Sequence, residues 1–209
     1  MAFQKPATSD THALWATFEQ IKMTLTKDHL EFENRFRSVI GLSVNKVEYT
    51  EISYEPNNPS PYYPTQFKNL DSVDFSIFFF TDNDKLIEIY WSGRFYQYGI
   101  DIKINEPSDF SGFIKWDVSV NDLWRTFIGA KITDVKITWE TVTTTEEDTR
   151  RIESFIYPQD VKITFSNDKN VFISAAGFLD QGDKEVSGML DNLTVTDNEE
   201  LARQVKMIN

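Results

Sequence analysis

Apolar residues recur at helical spacing in the stretch Ser119–Gly129, and a strand-like pattern follows immediately after it. The helical stripe has the spacing i, i+3, i+4, i+7, i+8 and consists of Val120, Leu123, Trp124, Phe127 and Ile128. Ser119 is a candidate N-cap, and Gly129 suits the left-handed conformation at which many helices stop. The stretch therefore predicts a helix, a glycine stop and a strand that begins near Ile132.

An imperfect copy of this pattern lies at Asp28–Val47. Asp28 is its candidate cap and Gly41 its stop, and its apolar stripe consists of Phe32, Phe36, Val39 and Ile40. A second pair of segments, Phe80–Ile87 and Phe165–Phe172, predicts two strands joined by a tight polar turn in each case. We therefore hypothesise an internal duplication with a period of roughly 85–90 residues. The hypothesis requires similar surroundings for Gly41 and Gly129.

Further helices are predicted near the two ends of the chain. One is capped by Thr196, and the other has an apolar stripe of Leu14, Phe18, Ile21 and Leu25. Alternation predicts strands in most of the remaining chain, with Ser72–Thr81 at the centre of a sheet and Phe113–Val118 as an edge strand or an entry turn. Ile152–Ile156 and Val161–Phe165 are predicted as two separate strands.

The predicted fold class is α+β, mainly antiparallel sheet with about four helices, arranged as two related helix–strand–hairpin halves. The halves are residues 1–108 and 109–209. No linker rich in Gly, Ser or Pro separates them, so they are predicted to share one compact body.

Composition excludes several kinds of chemistry. The chain of 209 residues has no cysteine and two histidines, so thiol nucleophiles, thiolate metal sites and disulfides are excluded. No phosphate-binding glycine loop, dinucleotide fingerprint, serine elbow or HExxH spacing is present. Asp82 and Asp84 lack the glycine and the distal glutamate of a calcium loop. We therefore predict no catalytic residue, no cofactor and no metal.

The net charge of −12 bears on partners and location. It disfavours nucleic acid and anionic membranes, which require a basic face, and it permits a basic protein partner or serves only solubility. The oligomeric state does not follow from the sequence. No secretion signal or membrane-spanning run is recognisable, which predicts a cytoplasmic location.

Aromatic residues supply the candidate binding positions, because tyrosine, tryptophan and arginine are enriched at binding hot spots. Tyr62 and Tyr63 lie in the proline-rich stretch Glu55–Thr65, which predicts an extended surface loop. A second cluster consists of Tyr90, Trp91, Arg94, Tyr96 and Tyr98. The alternative for both groups is packing against the body of the protein.

Two functions remain open. The first is a non-enzymatic acidic protein-interaction module, of which an immunity-type inhibitor of a basic partner is one form; the likeness to immunity proteins is one of type and involves no shared motif. The alternative is a carboxylate-based enzyme or small-ligand binder with a cleft between the two halves. The carboxylates to watch are those on or near strands, namely Glu48, Glu51, Glu88 and Glu140. A deep pocket that contains two carboxylates with raised pKa would favour the enzyme, and a flat acidic patch with central aromatics the module.

Overall fold

A computed structural model describes residues 24–53, 55, 57–109, 111–145 and 151–208. Two helices and ten strands follow one another in this part of the chain: α1 (Lys27–Arg37), β1 (Val44–Ile52), β2 (Leu70–Val73), β3 (Ser76–Thr81), β4 (Leu86–Ser92), β5 (Gly99–Ile104), β6 (Phe113–Asp117), β7 (Ile132–Thr145), β8 (Ile152–Phe165), β9 (Asn170–Ala176), β10 (Gly188–Thr196) and α2 (Glu199–Gln204).

The strands form two five-stranded sheets, and all their pairings are antiparallel. The first sheet has the order β5-β4-β3-β1-β6 and the second β2-β10-β9-β8-β7, so β3 is central and β6 lies at an edge. The prediction of one strand over Ser72–Thr81 is wrong, because this range is divided between β2 and β3, which belong to different sheets. Of the described residues, 47% are in strands and 10% in two helices, so the prediction of an α+β fold with about four helices is wrong. The architecture is a two-layer β-sandwich.

Buried apolar side chains from both sheets share one core. Val47, Ile77 and Ile89 contribute from the first sheet, and Val161 and Ile173 from the second; all are at most 1% exposed. Because successive side chains of a strand point to opposite faces, the alternation that identified these strands also selects the face that meets the other sheet.

The predicted helix at Ser119–Gly129 is absent, and this part of the prediction is wrong: the segment is a series of turns. Ser119 donates its hydroxyl to Asp117 at 2.6 Å instead of capping a helix, and Val120 is 82% exposed. The other members of the stripe still point inward, since Leu123, Trp124 and Phe127 are buried. Consecutive turns therefore bury a similar set of side chains without a continuous helix.

The N-cap of helix α1 lies two residues earlier than predicted. Thr26, not Asp28, is the N-cap, and it forms a capping box with His29. Phe32 and Phe36 are buried, as the apolar stripe predicts, whereas Ile40 is 40% exposed. The helix predicted around Leu14, Phe18 and Ile21 lies outside the described residues. The final helix is confirmed as α2, with Asn198 rather than Thr196 as its N-cap.

Four backbone hydrogen bonds join the start of β1 to the start of β7 in a reciprocal pattern. Gly41 donates its N–H to the carbonyl of Ile132 at 2.8 Å, and Gly129 donates to Val44 at 2.7 Å. Val44 in turn donates to Ala130, and Ile132 to Leu42. Ser43 and Lys131 form the antiparallel bridge at the centre. The two glycines therefore have equivalent surroundings, related by a local twofold arrangement.

The unit that recurs around this junction is a four-stranded meander and not the predicted helix–strand–hairpin. It comprises β1, β3, β4 and β5 in the first sheet and β7, β8, β9 and β10 in the second. The tight turns of the two meanders also correspond, since Asp84 and Asp168 both have positive φ, 55° and 60°. Thr81 donates its N–H to the carbonyl of Lys85 in the first turn, and Phe165 donates to Lys169 in the second, so Thr81 and Phe165 occupy equivalent positions. The sequence alignment, which matched Phe80 with Phe165, is therefore corrected by one residue.

Each meander is completed by a strand from the other half of the chain. β2, which precedes residue 108, pairs with β10 at the edge of the second sheet. β6, which follows residue 108, pairs with β1 at the edge of the first sheet. The two halves of the chain therefore exchange an edge strand, in addition to packing their sheets face to face.

β8 is one continuous strand where two were predicted. It pairs with β7 over its whole length, but Thr138 faces Asp160 and Trp139 faces Pro158, so Gln159 is an extra residue in a β-bulge. Proline cannot donate to the ladder and occurs in strands mainly at edges and bulges, which explains the apparent break in the sequence pattern.

The reciprocal junction predicts that Gly41→Ala and Gly129→Ala each lower the free energy of unfolding by about 1 kcal/mol. The two glycines have φ values of +94° and +80°, a conformation that is strained for alanine. A Cβ at either position would meet no atom within 4 Å, so backbone conformation alone is tested. Urea denaturation measures the effect, with the exposed Ser187→Ala as the control. A neutral result at either glycine would contradict the interpretation.

Candidate functional site

A polar groove with a buried ionisable group lies on the outer face of the second sheet, and we call it the C-terminal groove. Its floor is the outer face of β7 and β8, and its wall is the segment Lys206–Ile208 that follows α2. It has two parts that share Asp160 and Ile208. The acidic lobe, about 270 Å³, contains Glu140, and the basic lobe, about 320 Å³, contains Lys136 and Lys162.

The bulge in β8 builds the floor of the acidic lobe. Without it, alternation would place neighbouring side chains on opposite faces of the sheet; with it, both Gln159 and Asp160 line the groove. Asp160 faces Ser174 of β9, and Ser174 faces Thr194 of β10. A row of small polar side chains therefore runs across the sheet beneath the C-terminal segment.

Gln159 is fixed by three hydrogen bonds. Its Oε1 accepts the hydroxyl of Tyr157 at 2.8 Å, and its Nε2 donates to Ser174 Oγ at 2.7 Å and to the carbonyl of Ala175 at 2.6 Å. Gly188 packs against this amide, since a Cβ there would lie 2.6 Å from Gln159 Oε1. These contacts therefore fix this part of the floor of the acidic lobe in the absence of a ligand.

Asp160 is the buried ionisable group of the groove, with 4% of its surface exposed. Burial raises its pKa to about 7, the charge of Glu140 adds to the rise, and Thr138 and Lys136 oppose it. Among the described residues, no lysine or arginine lies within 4.0 Å of its carboxylate. Burial also raises the pKa of Tyr157, with Glu140 and Asp160 as further causes.

The loop tyrosines proposed from the sequence do not line the C-terminal groove and precede β2. Tyr63 packs edge-on against Tyr49 and accepts a hydrogen bond from Asn121. The backbone N–H of Tyr62 donates to Glu51 at 3.1 Å. Both side chains are half-buried, and their role in binding stays a prediction.

The second aromatic cluster is divided among several contacts within the protein. Trp91 and Tyr98 are brought together, with ring centroids 5.1 Å apart, and the Trp91 indole donates to the carbonyl of Asp74. Tyr96 stacks on Phe155 of β8.

The remaining two members of the cluster contact charged side chains. Arg94 pairs with Asp28 of α1 at 2.8 Å. Tyr90 lies on the opposite face of β4 from Trp91, with Lys103 Nζ 4.6 Å from its ring centroid. The seven proposed binding residues therefore do not form one patch.

Two carboxyl groups with raised pKa lie inside the sandwich instead of in the groove. Glu51 is 1% exposed, and burial raises its pKa to about 7. Its Oε1 has no hydrogen-bond partner among the described residues. Asp71 accepts the Tyr49 hydroxyl at 2.9 Å, and burial raises its pKa to about 6.

Sequence reasoning found one groove residue and missed the others. Glu140 was noted as a strand carboxylate, but Asp160, Gln159 and the two lysines were not. The available signal was Pro158 between two apolar runs, which is typical of a bulge. The described residues contain no group of three or more candidate ligands that could hold a metal ion. No helix in the same part of the chain combines the length and apolarity needed to cross a bilayer.

Comparison of the chain with protein-family models, with curated proteins and with solved structures found no significant match.

The raised pKa of Glu51 predicts that folding is less favourable at pH 8 than at pH 5. The folded protein retains the proton between pH 4.5 and about 7 whereas the unfolded chain releases it, so stability falls as pH rises through this window. Glu51→Gln removes this part of the fall, which we expect to be on the order of 2 kcal/mol. Chemical denaturation at the two pH values measures it.

Asp71 and Asp160 contribute in the same direction, so the Glu51→Gln protein should retain part of the slope. The exposed Glu106→Gln is the matched control and should leave the difference between the two pH values unchanged. If the free energy of unfolding changes equally between the two pH values in the wild-type and Glu51→Gln proteins, the Glu51 carboxyl is not the source of the pH dependence.

Proposed function

We propose that the protein is a non-enzymatic interaction module that binds a cationic group of a partner protein in the acidic lobe. The observation that carries the proposal is Asp160, an almost fully buried carboxylate on the floor of an open groove and next to Glu140. No described lysine or arginine lies within 4.0 Å of this carboxylate. A lysine or arginine side chain from a partner would supply that cation.

The energetics favour a cationic ligand. A buried carboxylate without a counter-ion is costly, and its raised pKa is the measure of that cost. A guanidinium or ammonium group would form a charge-assisted hydrogen bond with Asp160 in a partly desolvated site, where such bonds are strongest. The net charge of −12 would attract a basic partner over longer distances and increase its association rate.

The enzymatic alternative has weaker support. The groove is lined by residues within 136–208, so it does not lie at a junction between the two predicted halves. Glu51 and Asp71, the inner carboxyls with raised pKa, do not line it. One observation favours catalysis: a pKa of about 7 suits Asp160 for proton transfer, with the Tyr157 hydroxyl in the same lobe.

An immunity-type inhibitor of a basic toxin is one protein that would act in this way. The immunity-type interpretation is supported by the acidity of the chain and by the groove that contains Asp160 and Glu140. This identification of the partner stays a prediction.

The proposal predicts that an acetylated and amidated peptide, Gly-Gly-Arg-Gly-Gly, binds the protein and that its glutamine counterpart does not. NMR titration of the full chain measures the affinity. Asp160→Asn should weaken binding about tenfold or more, because it removes a charge-assisted hydrogen bond. Affinity of the wild type should rise as pH increases through about 7, since Asp160 becomes ionised.

Asp168→Asn is the matched control. It removes the same charge from an exposed turn, and asparagine tolerates the φ of 60° found there. Equal weakening by the two substitutions would indicate diffuse attraction and contradict a defined site. Equal binding of the arginine and glutamine peptides would overturn the proposal.

A further inference from the structure

The basic lobe extends the C-terminal groove beyond the cation site and has the opposite charge. It is lined by Lys136, Thr138, Lys162, Phe172 and Arg203, together with Glu199, and it meets the acidic lobe at Asp160 and Ile208. Arg203 is bonded to Glu199 at 2.9 Å, so the two lysines are the residues of interest. The ligand chemistry inferred for this lobe rests on the proposed function, because the two lobes share one groove.

Lys136 and Lys162 lie directly opposite each other in the β7–β8 ladder. Like charges in this arrangement repel each other and destabilise a sheet. Among the described residues, neither lysine forms an ion pair with a carboxylate within 4.0 Å. The Lys162 ammonium is held over the Phe172 ring, 5.6 Å from its centroid. An anion between the two ammonium groups would remove the repulsion.

The separation of the two charged regions suits a small dipolar group. Asp160 and Lys162 are two residues apart on one face of β8, so their Cα atoms lie about 7 Å apart along the strand. A single basic amino-acid residue with a free carboxylate separates its cation from its anion by a comparable distance. A basic residue inside a chain presents an amide there and would satisfy only the acidic lobe. A phosphate would satisfy the lysines but would be repelled by Asp160 and Glu140.

We propose that the groove recognises a basic residue with a free α-carboxylate, its side-chain cation at Asp160 and Glu140 and its carboxylate between Lys136 and Lys162. This chemistry occurs at the carboxyl terminus of a protein that ends in lysine or arginine, and in the free basic amino acids. The two ends of one ligand would then supply an ion-pair partner to Asp160 and to the two lysines, none of which has one within 4.0 Å among the described residues.

The test compares acetyl-Gly-Gly-Arg with a free carboxylate, the same peptide as its amide, and free arginine. NMR titration of the full chain measures all three. The free-carboxylate peptide should bind about tenfold more tightly than the amide, since it adds a charge-assisted contact. The double variant Lys136→Met/Lys162→Met should abolish that advantage, so that the free-carboxylate peptide and the amide bind it with equal affinity. Retained binding of the amide also shows that the variant is folded.

Lys169→Met/Lys184→Met is the matched control, because it removes two exposed charges outside the groove; it should preserve the advantage of the free carboxylate. Equal affinity of the two peptides for the wild type, with Asp160→Asn still weakening both, would overturn this inference and leave the cation site intact. Failure of the amide peptide to bind would overturn the proposed function itself.

The source of the ligand is decided by the third compound. Tighter binding of the tripeptide than of free arginine supports a protein terminus. Equal or tighter binding of free arginine supports a free amino acid. A loss of the advantage in the control variant would contradict the assignment of the carboxylate to Lys136 and Lys162.

Discussion

The relation between the two sheets depends on the backbone hydrogen bonds that join the first strands of the two meanders. Gly41 and Gly129 each donate to the segment that follows the other glycine, so the chain segments entering β1 and β7 fix each other's position. The tight turns strengthen this junction, since Asp82 donates its N–H to Ser43 and Ser166 donates to Lys131. Side-chain packing then acts on strands whose register is already set. The shared core therefore results in part from these backbone hydrogen bonds, and it also stabilises them.

The bulge at Gln159 connects the fold to the candidate site. The bulge allows β8 to remain paired with β7 while the two ends of β8 contact different sheets. The part that begins at Asp160 pairs with β9 of the second sheet, and Pro158 contacts Gly99 at the edge of the first sheet. The same irregularity turns Gln159 and Asp160 toward the groove. A regular strand would place one of them in the core, where its polar group would be costly. The polar floor of the groove therefore arises where the strand changes its neighbours.

Much of the strand content could be predicted from the sequence because alternation is a local signal. The central strand predicted at Ser72–Thr81 contains β3, and of the two alternatives for Phe113–Val118 the edge strand is the one observed, as β6. Helical periodicity was less reliable: Ser119–Gly129 buries its apolar side chains through turns, and the Ser119 hydroxyl that was predicted to cap a helix is bonded to Asp117 instead. Asp160 could not be recognised, since its burial and its neighbours depend on a bulge, on β9 and on the C-terminal segment, all of which are tertiary features.

The exchange of β2 and β6 between the sheets has a consequence for the way the molecule comes apart. Neither half of the chain contains all the strands of its own sheet: the first sheet lacks β6 without the second half, and the second sheet lacks β2 without the first. Opening one layer therefore strips an edge from the other and exposes unpaired amide and carbonyl groups on both. Such interlocking couples the two layers into one cooperative unit, for which a single unfolding transition without a half-folded intermediate is the thermodynamic signature.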